Sequence, residues 1–496
     1  MASKAAPKRI IYIPFDHLNT SYGALKQVNK KEDLILFVES KRMVDPGKYH
    51  PERLFFLVSS ARHFSQQLID SGFNVSYLQA PTTLDGIRLV SQMHGDTPIF
   101  AARQSSYRLQ NALESIGATF FENDFFLTPR GLFEGWAGGQ KSFLMENFYR
   151  KQRTRLNIFM QGDKPVGGQW NFDKDNRQPL PKNYVWQKYL TFKRDAIDLA
   201  VADDLGIEVK GTWATTRSQA LKQLENFLEN HFENFGLYED AMSSDNWAIH
   251  HSLLSPYLNN GLLHASEVVA AAVRKFEDGT IPVAAAEGFI RQIVGWREYI
   301  NGMYWHLGEE YRKSNGLRAT RKLLPLYTDP DKTEMNCLKS IVTDITERSW
   351  VHHIPRLMVL SNMALLSGVN PQQFLDWMRN SFIDASDWVM VPNIIGMGVH
   401  ADGGQMMTKP YASGGAYISR MSNYCKSCIY DPKKRVGEDA CPFTTLYWNF
   451  LAEHEATFAK NHRMAQQLAG LRRLSDLDQI SERAKQVLAG MDKGKI

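Results

Sequence analysis

The hydrophobic pattern of this chain changes character once, and that change limits the folds the chain can adopt. In the first 130 residues, short apolar runs alternate with amphipathic segments, whereas the pattern from about Arg217 onward is almost wholly helical. Strands that alternate with helices build a parallel sheet with helices packed against it. The sequence therefore predicts an N-terminal α/β domain followed by a large all-α domain.

Individual elements can be placed within this plan. Apolar runs predict strands at 9–15, 33–38, 74–78, 98–101 and 118–121, with a helix at 51–70 that ends before a glycine. No glycine fingerprint follows the first strand, so a standard dinucleotide-binding domain is not indicated. Helical spacing in the second half predicts helices at 218–232, 266–276, 282–305, 350–366 and 371–380.

The stretch between the two patterns predicts a long connection. From 131 to about 183 the chain is rich in Gly, Pro, Asn, Asp and Lys and shows little periodicity. We therefore expect an α/β domain at 1–130, an interdomain linker at 131–215 and an all-α domain at 216–496. No internal repeat is evident.

Composition excludes several classes of protein. The 496 residues suffice for two to four domains, and 43% hydrophobic with 22% charged residues exclude disordered, collagen-like and coiled-coil chains. A net charge of +5 permits a nucleic-acid partner without requiring one. No window approaches the ~20 apolar residues of a membrane span, and the N-terminal residues lack the pattern of a signal peptide. We expect a cytoplasmic protein that acts as a monomer and does not bind membranes.

Four cysteines are too few to form a disulfide scaffold for a chain of this size. Cys425 and Cys428 form one close pair, twelve residues intervene before Cys441, and Cys337 lies far upstream. Four thiolates hold either a structural zinc ion or an iron–sulfur cluster, and unrelated buried cysteines are the third possibility. The single close pair and the proline after Cys441 favour a [4Fe–4S] cluster.

Four segments of the helical half place polar groups on an apolar background. The first, HSLLSPYLNNG at 251–261, has hydroxyls and a proline at a helix start, where free N–H groups bind phosphate oxygens. Helix capping explains the same serines equally well. The others are the helix from Gln292 through WRE to Tyr299, the segment WVHHIPR at 350–356, and DASDW at 384–388.

In this order the four segments resemble the photolyase/cryptochrome family, whose flavin domain carries SxLSPYLxxG, WRE(F/Y) and HHxxR motifs and a later aspartate-containing loop. The family plan is similar too, with a Rossmann-like antenna domain joined by a long linker to an all-α FAD-binding domain. The four cysteines and the segments at 145–150, 167–173 and 402–404 are similar to the bacterial iron–sulfur branch, the prokaryotic (6-4) photolyases.

The resemblance implies a set of FAD-binding residues: Tyr238, Ser252, Leu253, Ser255, Gln292, Arg356, Asp384 and Asn393. Tyr238 and the two serines would contact the phosphates, and Arg356 with Asp384 would form the ion pair that tunes the charge of the flavin ring. Met390 stands where many photolyases place an asparagine against flavin N5, and methionine cannot donate a hydrogen bond. Whether Asn393 compensates stays open.

The same resemblance implies the catalytic residues. His353 would donate a proton to the lesion with His352 supporting it, and Tyr411 would contact the lesion. Histidine suits this role because a modest change of environment holds it protonated near neutral pH. Because adjacent residues of a helix diverge by about 100°, we expect at most one of the two histidines to face a given pocket. A structural role for a buried histidine is the alternative.

Two further functions follow from the resemblance. Trp377 and Trp388 would relay electrons that photoreduce FAD, although large aromatic residues are first of all core residues. In the first domain, Asp16, Glu39, Ser40 and Lys48 lie where the iron–sulfur branch binds a 6,7-dimethyl-8-ribityllumazine antenna, and ligands at strand carboxyl ends are expected in an open α/β sheet. The usual Gly-Asp-Gln of that branch is Phe-Asp-His here.

The activity that the resemblance implies is light-driven repair of (6-4) pyrimidine–pyrimidone photoproducts in UV-damaged DNA, with reduced FAD as the electron donor and Lys409 and Arg420 among the residues that hold phosphates. Buried flavin requires that the damaged base be flipped out of the duplex. Two alternatives remain: a cryptochrome-type blue-light receptor without repair activity, and a non-photochemical iron–sulfur protein that binds nucleic acid. A cyclobutane-dimer photolyase is less favoured because that reaction needs no protonating histidine.

Overall fold

The first domain is built on a five-stranded parallel sheet. The computed structural model describes residues 6–208 and 210–496, and its strand order is β3-β2-β1-β4-β5. The strands are β1 (Arg9–Tyr12), β2 (Asp33–Ser40), β3 (Val75–Ala80), β4 (Ile99–Ala102) and β5 (Thr119–Phe121). Continuous apolar runs form strands of this kind because both faces of a parallel sheet are covered. All five predicted strands are confirmed, with ends shifted by a few residues.

The two faces of the sheet pack against different parts of the protein. Ile10 and Tyr12 face a small core shared with helices α2 (Thr83–Met93) and α3 (Tyr107–Glu114), while Ile11 faces the opposite side. Alternate side chains of a strand point to opposite faces, so this division follows from the strand itself. The Ile11 face contributes to a core that continues through helix α1 (Pro51–Asp70) to Tyr257 of the second domain. The sheet and the helical domain therefore share one hydrophobic core.

The remainder of the chain is mostly helical, as predicted. Its helices are α4 (Arg130–Ala137), α5 (Met145–Leu156), α6 (Ala196–Leu205), α7 (Arg217–Asn230), α8 (Phe232–Phe235), α9 (Ser255–Asn260), α10 (Ala265–Glu277), α11 (Val283–Ile290), α12 (Glu298–Leu307), α13 (Asn336–Arg348), α14 (Asn362–Ser367), α15 (Pro371–Ser381), α16 (Asp387–Val391), α17 (Gly415–Met421), α18 (Pro442–Glu453), α19 (Glu455–Phe458), α20 (Ala465–Leu471) and α21 (Leu477–Asp492). Within the described ranges, none of the helices has both the length and the apolar composition that a membrane crossing needs.

The segment expected to be a linker with little regular structure contains α4, α5, α6 and a short hairpin of β6 (Met160–Gln161) and β7 (Lys164–Pro165). Helix α5 buries Phe148 and Tyr149 within an otherwise polar sequence, so its pattern is weak. Asp195 begins α6 with a capping box, and the Ser59 hydroxyl of α1 donates to Asp198 of α6 at 2.5 Å. Packing against neighbouring helices stabilises these elements where periodicity alone does not predict them.

Three segments of the helical domain are π-helical: Arg291–Arg297, Pro355–Ser361 and Pro392–Gly398. The first interrupts the helix predicted at 282–305. The helix predicted at 350–366 begins only at His353, so His352 precedes it. Each π-helical segment carries one residue expected in the flavin site, namely Gln292, Arg356 or Asn393. Widened turns of this kind are frequent at functional sites, because they redirect side chains out of the regular helical order.

Candidate functional site

A buried ion pair lies at the centre of the helical domain. Arg356 donates from Nη1 to Asp384 Oδ1 and from Nη2 to Asp384 Oδ2, both at 3.0 Å, and Asp384 is 6% exposed. The guanidinium also lies over the ring of Phe382, 4.2 Å from its centroid. Two parallel hydrogen bonds fix the planes of both groups. The pair predicted from the sequence therefore exists, with its orientation set by the protein.

The two serines of the first motif have different environments. Ser255 begins α9, and its hydroxyl donates to Asp384 Oδ2 at 2.7 Å and accepts from Trp350 Nε1 at 3.3 Å. The hydroxyl of Ser252 accepts from the backbone N–H of Leu254 at 3.4 Å, and Leu253 between them has a positive φ of 58°. Ser255 thus supports the ion pair, while Ser252 shapes the turn that precedes α9.

Three histidines converge beside the ion pair. The ring centroids of His251 and His352 are 4.1 Å apart and nearly parallel, and the centroid of His353 lies 5.5 Å from that of His251. His251 and His352 are buried, whereas the side chain of His353 is 46% exposed. His352 lies before the helix, so the divergence expected for adjacent helical residues does not apply to this pair, and that at most one of them faces a given pocket stays a prediction.

The protonation of His353 also differs from the expectation. Desolvation by the surrounding protein and the positive charge of Arg356 lower the pKa of His353, so its imidazole is neutral near pH 7 in the protein alone. Asp240 is the nearest acidic group, with Oδ1 4.0 Å from His353 Nε2, and burial raises the pKa of Asp240 to about 6. Asp240 is thus the acidic group placed to interact with a protonated His353.

Tyr411, the remaining residue predicted for catalysis, is partly buried, as is Tyr417. Burial raises the pKa of Tyr411, and Asp173 and Asp240 are among the charged groups that act on it.

The remaining residues predicted for the flavin site lie around these groups. Gln292 Nε2 donates to Glu239 Oε1 at 2.6 Å, and burial raises the pKa of Glu239 to about 8, so this acid is largely protonated at pH 7. Tyr238 is half-buried, with its ring 6.0 Å from that of His250. Asn393 Nδ2 donates to the carbonyl of Val389 at 2.9 Å, within its own helix.

Tryptophans lie on two sides of the ion pair. The ring centroid of Trp377 lies 6.1 Å from that of Phe382, the ring beneath the Arg356 guanidinium, and 4.9 Å from that of Tyr327. Trp388 packs instead against Phe126 and lies 5.4 Å from the guanidinium of Arg297. Trp350, Trp247 and Trp213 form a second cluster with centroids 5.5 to 6.3 Å apart, and of these only Trp350 lies in a segment singled out from the sequence. Only the fold brings them together.

None of the four cysteines forms a disulfide, and all four line one cavity. Cys337 lies in the first turn of α13 and Cys441 immediately precedes α18, while Cys425 lies within the turn at 424–427 and Cys428 directly follows it. A backbone hydrogen bond from Cys441 to Asp431 closes the loop that returns from Cys428. A Cβ atom on Gly415 would lie 2.9 Å from the sulfur of Cys441, so only glycine leaves this space open. The donor set and the apolar walls fit a Cys₄ metal centre.

The carboxyl ends of β1 and β2 hold the residues predicted for the antenna. Glu39 is 3% exposed and accepts hydrogen bonds from Arg62, Tyr77 and Gln79 at 2.6 to 3.1 Å. Ser40 is buried, Asp16 is partly buried and Lys48 is exposed. These side chains lie at one edge of the sheet, and the carboxylate of Glu39 is already satisfied by protein groups.

Fold and site together define a protein with a parallel α/β sheet followed by a mostly helical region, a buried Arg–Asp pair beside clustered histidines, and four cysteines that line one cavity. A family model described as deoxyribodipyrimidine photo-lyase-related protein matches residues 11–218. A (6-4) photolyase of Agrobacterium fabrum is 39% identical over 96% of this chain and 98% of its own length. The chain belongs to the family of the (6-4) photolyases.

Two other similarities are consistent with this assignment. The crystal structure of a bacterial class III photolyase from Agrobacterium tumefaciens shares the fold, with a TM-score of 0.55 at 16% identity over 99% of both chains. An uncharacterised protein of Acanthamoeba polyphaga mimivirus is 33% identical over 94 residues, which is 19% of this chain and 69% of that protein. The first similarity extends over both domains and supports the architecture alone.

Proposed function

We propose that this protein repairs (6-4) photoproducts in UV-damaged DNA in a light-driven reaction. The observation that carries the proposal is the 39% identity to a (6-4) photolyase over nearly the whole of both chains. The geometry supports it, because an exposed histidine lies next to a buried ion pair in the helical domain. A photolyase requires a flavin, and we propose that it is FAD.

The residues of the helical domain fit such a cofactor. Ser252 and Tyr238 offer hydroxyls for phosphates, and Arg356 offers a fixed positive charge for the ring. When bound and reduced, the flavin supplies the electron for repair on absorbing blue light. The Arg356–Asp384 pair would hold the charge beside the ring constant, because Ser255 donates to the carboxylate of Asp384 and Asn259 donates to its backbone carbonyl. Its burial keeps water from screening that charge.

His353 would hold and deliver the proton. Its side chain is 46% exposed and its Nε2 lies 4.0 Å from Asp240 Oδ1, while His352 is buried with its ring centroid 5.9 Å away. A lesion with its phosphates would raise the pKa of His353 by adding negative charge, and Asp240 at 4.0 Å would stabilise the imidazolium. Protonation would then be coupled to substrate binding.

DNA binding would place a flipped nucleotide over His353. Flipping costs least where base pairing is already damaged, which favours lesions over intact DNA. Lys409 is half-buried and Arg420 is exposed, and both would bind phosphates on either side of the lesion. Affinity for DNA would then fall steeply with salt.

The decisive experiment measures the absorption spectrum of the purified protein and its action on an oligonucleotide with one (6-4) photoproduct under blue light. Flavin bands with light-dependent repair support the proposal. Flavin without repair indicates a blue-light receptor instead. A protein without flavin that still binds nucleic acid indicates the non-photochemical iron–sulfur alternative.

We further propose that the four cysteines hold a [4Fe–4S] cluster. The support is that all four line one apolar cavity, which argues against unrelated buried cysteines. Zinc is the competing occupant, because it also accepts four thiolates. Iron and acid-labile sulfide analysis of anaerobically purified protein distinguishes the two: about four iron and four sulfide per chain supports the cluster, and one zinc without sulfide contradicts it.

For the antenna we propose 6,7-dimethyl-8-ribityllumazine at the carboxyl ends of β1 and β2. The support is the grouping of Asp16, Glu39 and Ser40 at one sheet edge, with Lys48 exposed beside them. Chromatography of the released chromophores tests this. Recovery of a flavin and no second chromophore, from protein supplied with lumazine during expression, contradicts it.

A further inference from the structure

His251, His352 and His353 offer three imidazole nitrogens that all lie within 4.8 Å of one another. Around a tetrahedral zinc ion, with Zn–N bonds of ~2.0–2.1 Å, ligand nitrogens lie about 3.3 Å apart. Small rotations of the rings would bring the three atoms to that spacing. The cluster is therefore of the right size for a metal ion of the zinc type.

Unpartnered nitrogens on the two buried rings point to the same conclusion. Nε2 of His251 and Nδ1 of His352 have no hydrogen-bond partner among the described residues, although the two residues are only 8% and 3% exposed. Because buried polar groups are normally paired, such nitrogens call for a ligand.

We propose that His251, His352 and His353 form a binding site for a zinc-type transition metal ion. Imidazole nitrogens select zinc, copper, nickel or cobalt over magnesium and calcium, which prefer oxygen. Because His353 is both a ligand and the proposed proton donor, bound metal excludes proton transfer to a lesion. This consequence rests on the proposed function, whereas metal binding does not.

A second group within the described residues shows why the first is distinctive. His63, Asp195 and Asp198 also lie within metal-binding reach of one another. There, Nε2 of His63 is bonded to Asp195 at 2.9 Å and Nδ1 to the backbone of Ser59 at 2.8 Å. Both nitrogens are thus engaged, and His63 provides the matched control.

Cobalt titration of the complete protein, with its iron content measured first, tests the proposal. Co²⁺ bound by histidines gives visible d–d bands, whereas thiolate ligation adds an intense charge-transfer band in the near ultraviolet. We expect one Co²⁺ per chain without the charge-transfer band, at least tenfold weaker binding in His251→Gln, and unchanged binding in His63→Gln. Equal binding by His251→Gln and the wild type, or a charge-transfer band, overturns the proposal.

Anomalous diffraction at the zinc edge provides a test that needs no variant. A peak between the three rings in zinc-soaked crystals supports the site, and a peak only at the cysteines or at surface carboxylates overturns it. Repair assays then address the consequence: we expect zinc to inhibit the wild type and to inhibit His251→Gln less, each relative to its own metal-free rate. If metal-free protein does not repair DNA, the proposed function fails, while the cobalt and diffraction results still decide the metal site.

Discussion

Two buried carboxylates, Glu39 in the sheet and Asp384 in the helical domain, show how differently the two domains treat polar groups. Glu39 is satisfied by Arg62, Tyr77 and Gln79. Asp384 is equally well bonded, but the histidines beside it have buried nitrogens without partners among the described residues. Buried polar groups are normally paired, so exceptions mark functional sites. The buried carboxylate at the sheet edge thus has protein partners only, whereas the one in the helical domain lies beside unpartnered imidazole nitrogens.

The largest effect is expected for His353→Asn. If His353 donates the proton, repair of (6-4) DNA should fall by roughly 10² to 10⁴-fold, the range for loss of a general acid. Flavin content should not change, because the Arg356–Asp384 pair remains. Single-turnover repair under blue light measures the effect, and His454→Asn, a half-buried histidine at the end of α18, is the control. Repair within threefold of the wild type would show that the proton comes from elsewhere.

The next largest effect is expected when the buried carboxylate of either domain is replaced by an amide. Asp384→Asn and Glu39→Gln each break a buried ion pair, and each should lower the free energy of unfolding by ~3–5 kcal/mol. Only Asp384→Asn should also release flavin, because only this residue fixes Arg356. Denaturant unfolding and the ratio of flavin to protein absorbance check both. Equal flavin loss in the two variants would mean that global destabilisation explains it.

Much of the fold followed from the sequence, and the failures have physical causes. Buried parallel strands are short apolar runs, so the sheet could be predicted. Helix α5 is stabilised by packing of Phe148 and Tyr149 that its polar sequence does not reveal. The π-helical segments depend on tertiary contacts that the sequence does not show. The same holds for the helix that begins at His353 and not at residue 350 as predicted. His251 was missed because its partners lie far along the chain, although it directly precedes Ser252 in a motif already singled out.

A smaller effect concerns pH. His231 and His250 are buried, with Nδ1 atoms 3.4 Å apart, and burial lowers the pKa of each to about 4. Because the unfolded pKa is about 6.5, their contribution to stability is complete above that pH and is lost as the pH falls toward 4. We expect Tm to decrease over this interval, and to decrease less in His231→Gln. If Tm falls equally with pH in the wild type and in His231→Gln, groups other than this histidine pair cause the loss of stability.

The smallest effect is expected for Lys48, which lies in the segment after β2. Lys48 is exposed, and its Nζ lies 5.3 Å from the centroid of the neighbouring Tyr49 ring. Lys48→Ala should therefore change the free energy of unfolding by less than ~0.5 kcal/mol, as is usual for surface substitutions. If the residue closes an antenna site, the variant should retain less of the second chromophore while its flavin content and its repair on direct flavin excitation stay unchanged. Chromophore release and repair at two excitation wavelengths measure this. Because stability and flavin are unaffected, loss of the second chromophore could come only from the sheet edge, and full retention would remove Lys48 from the antenna site.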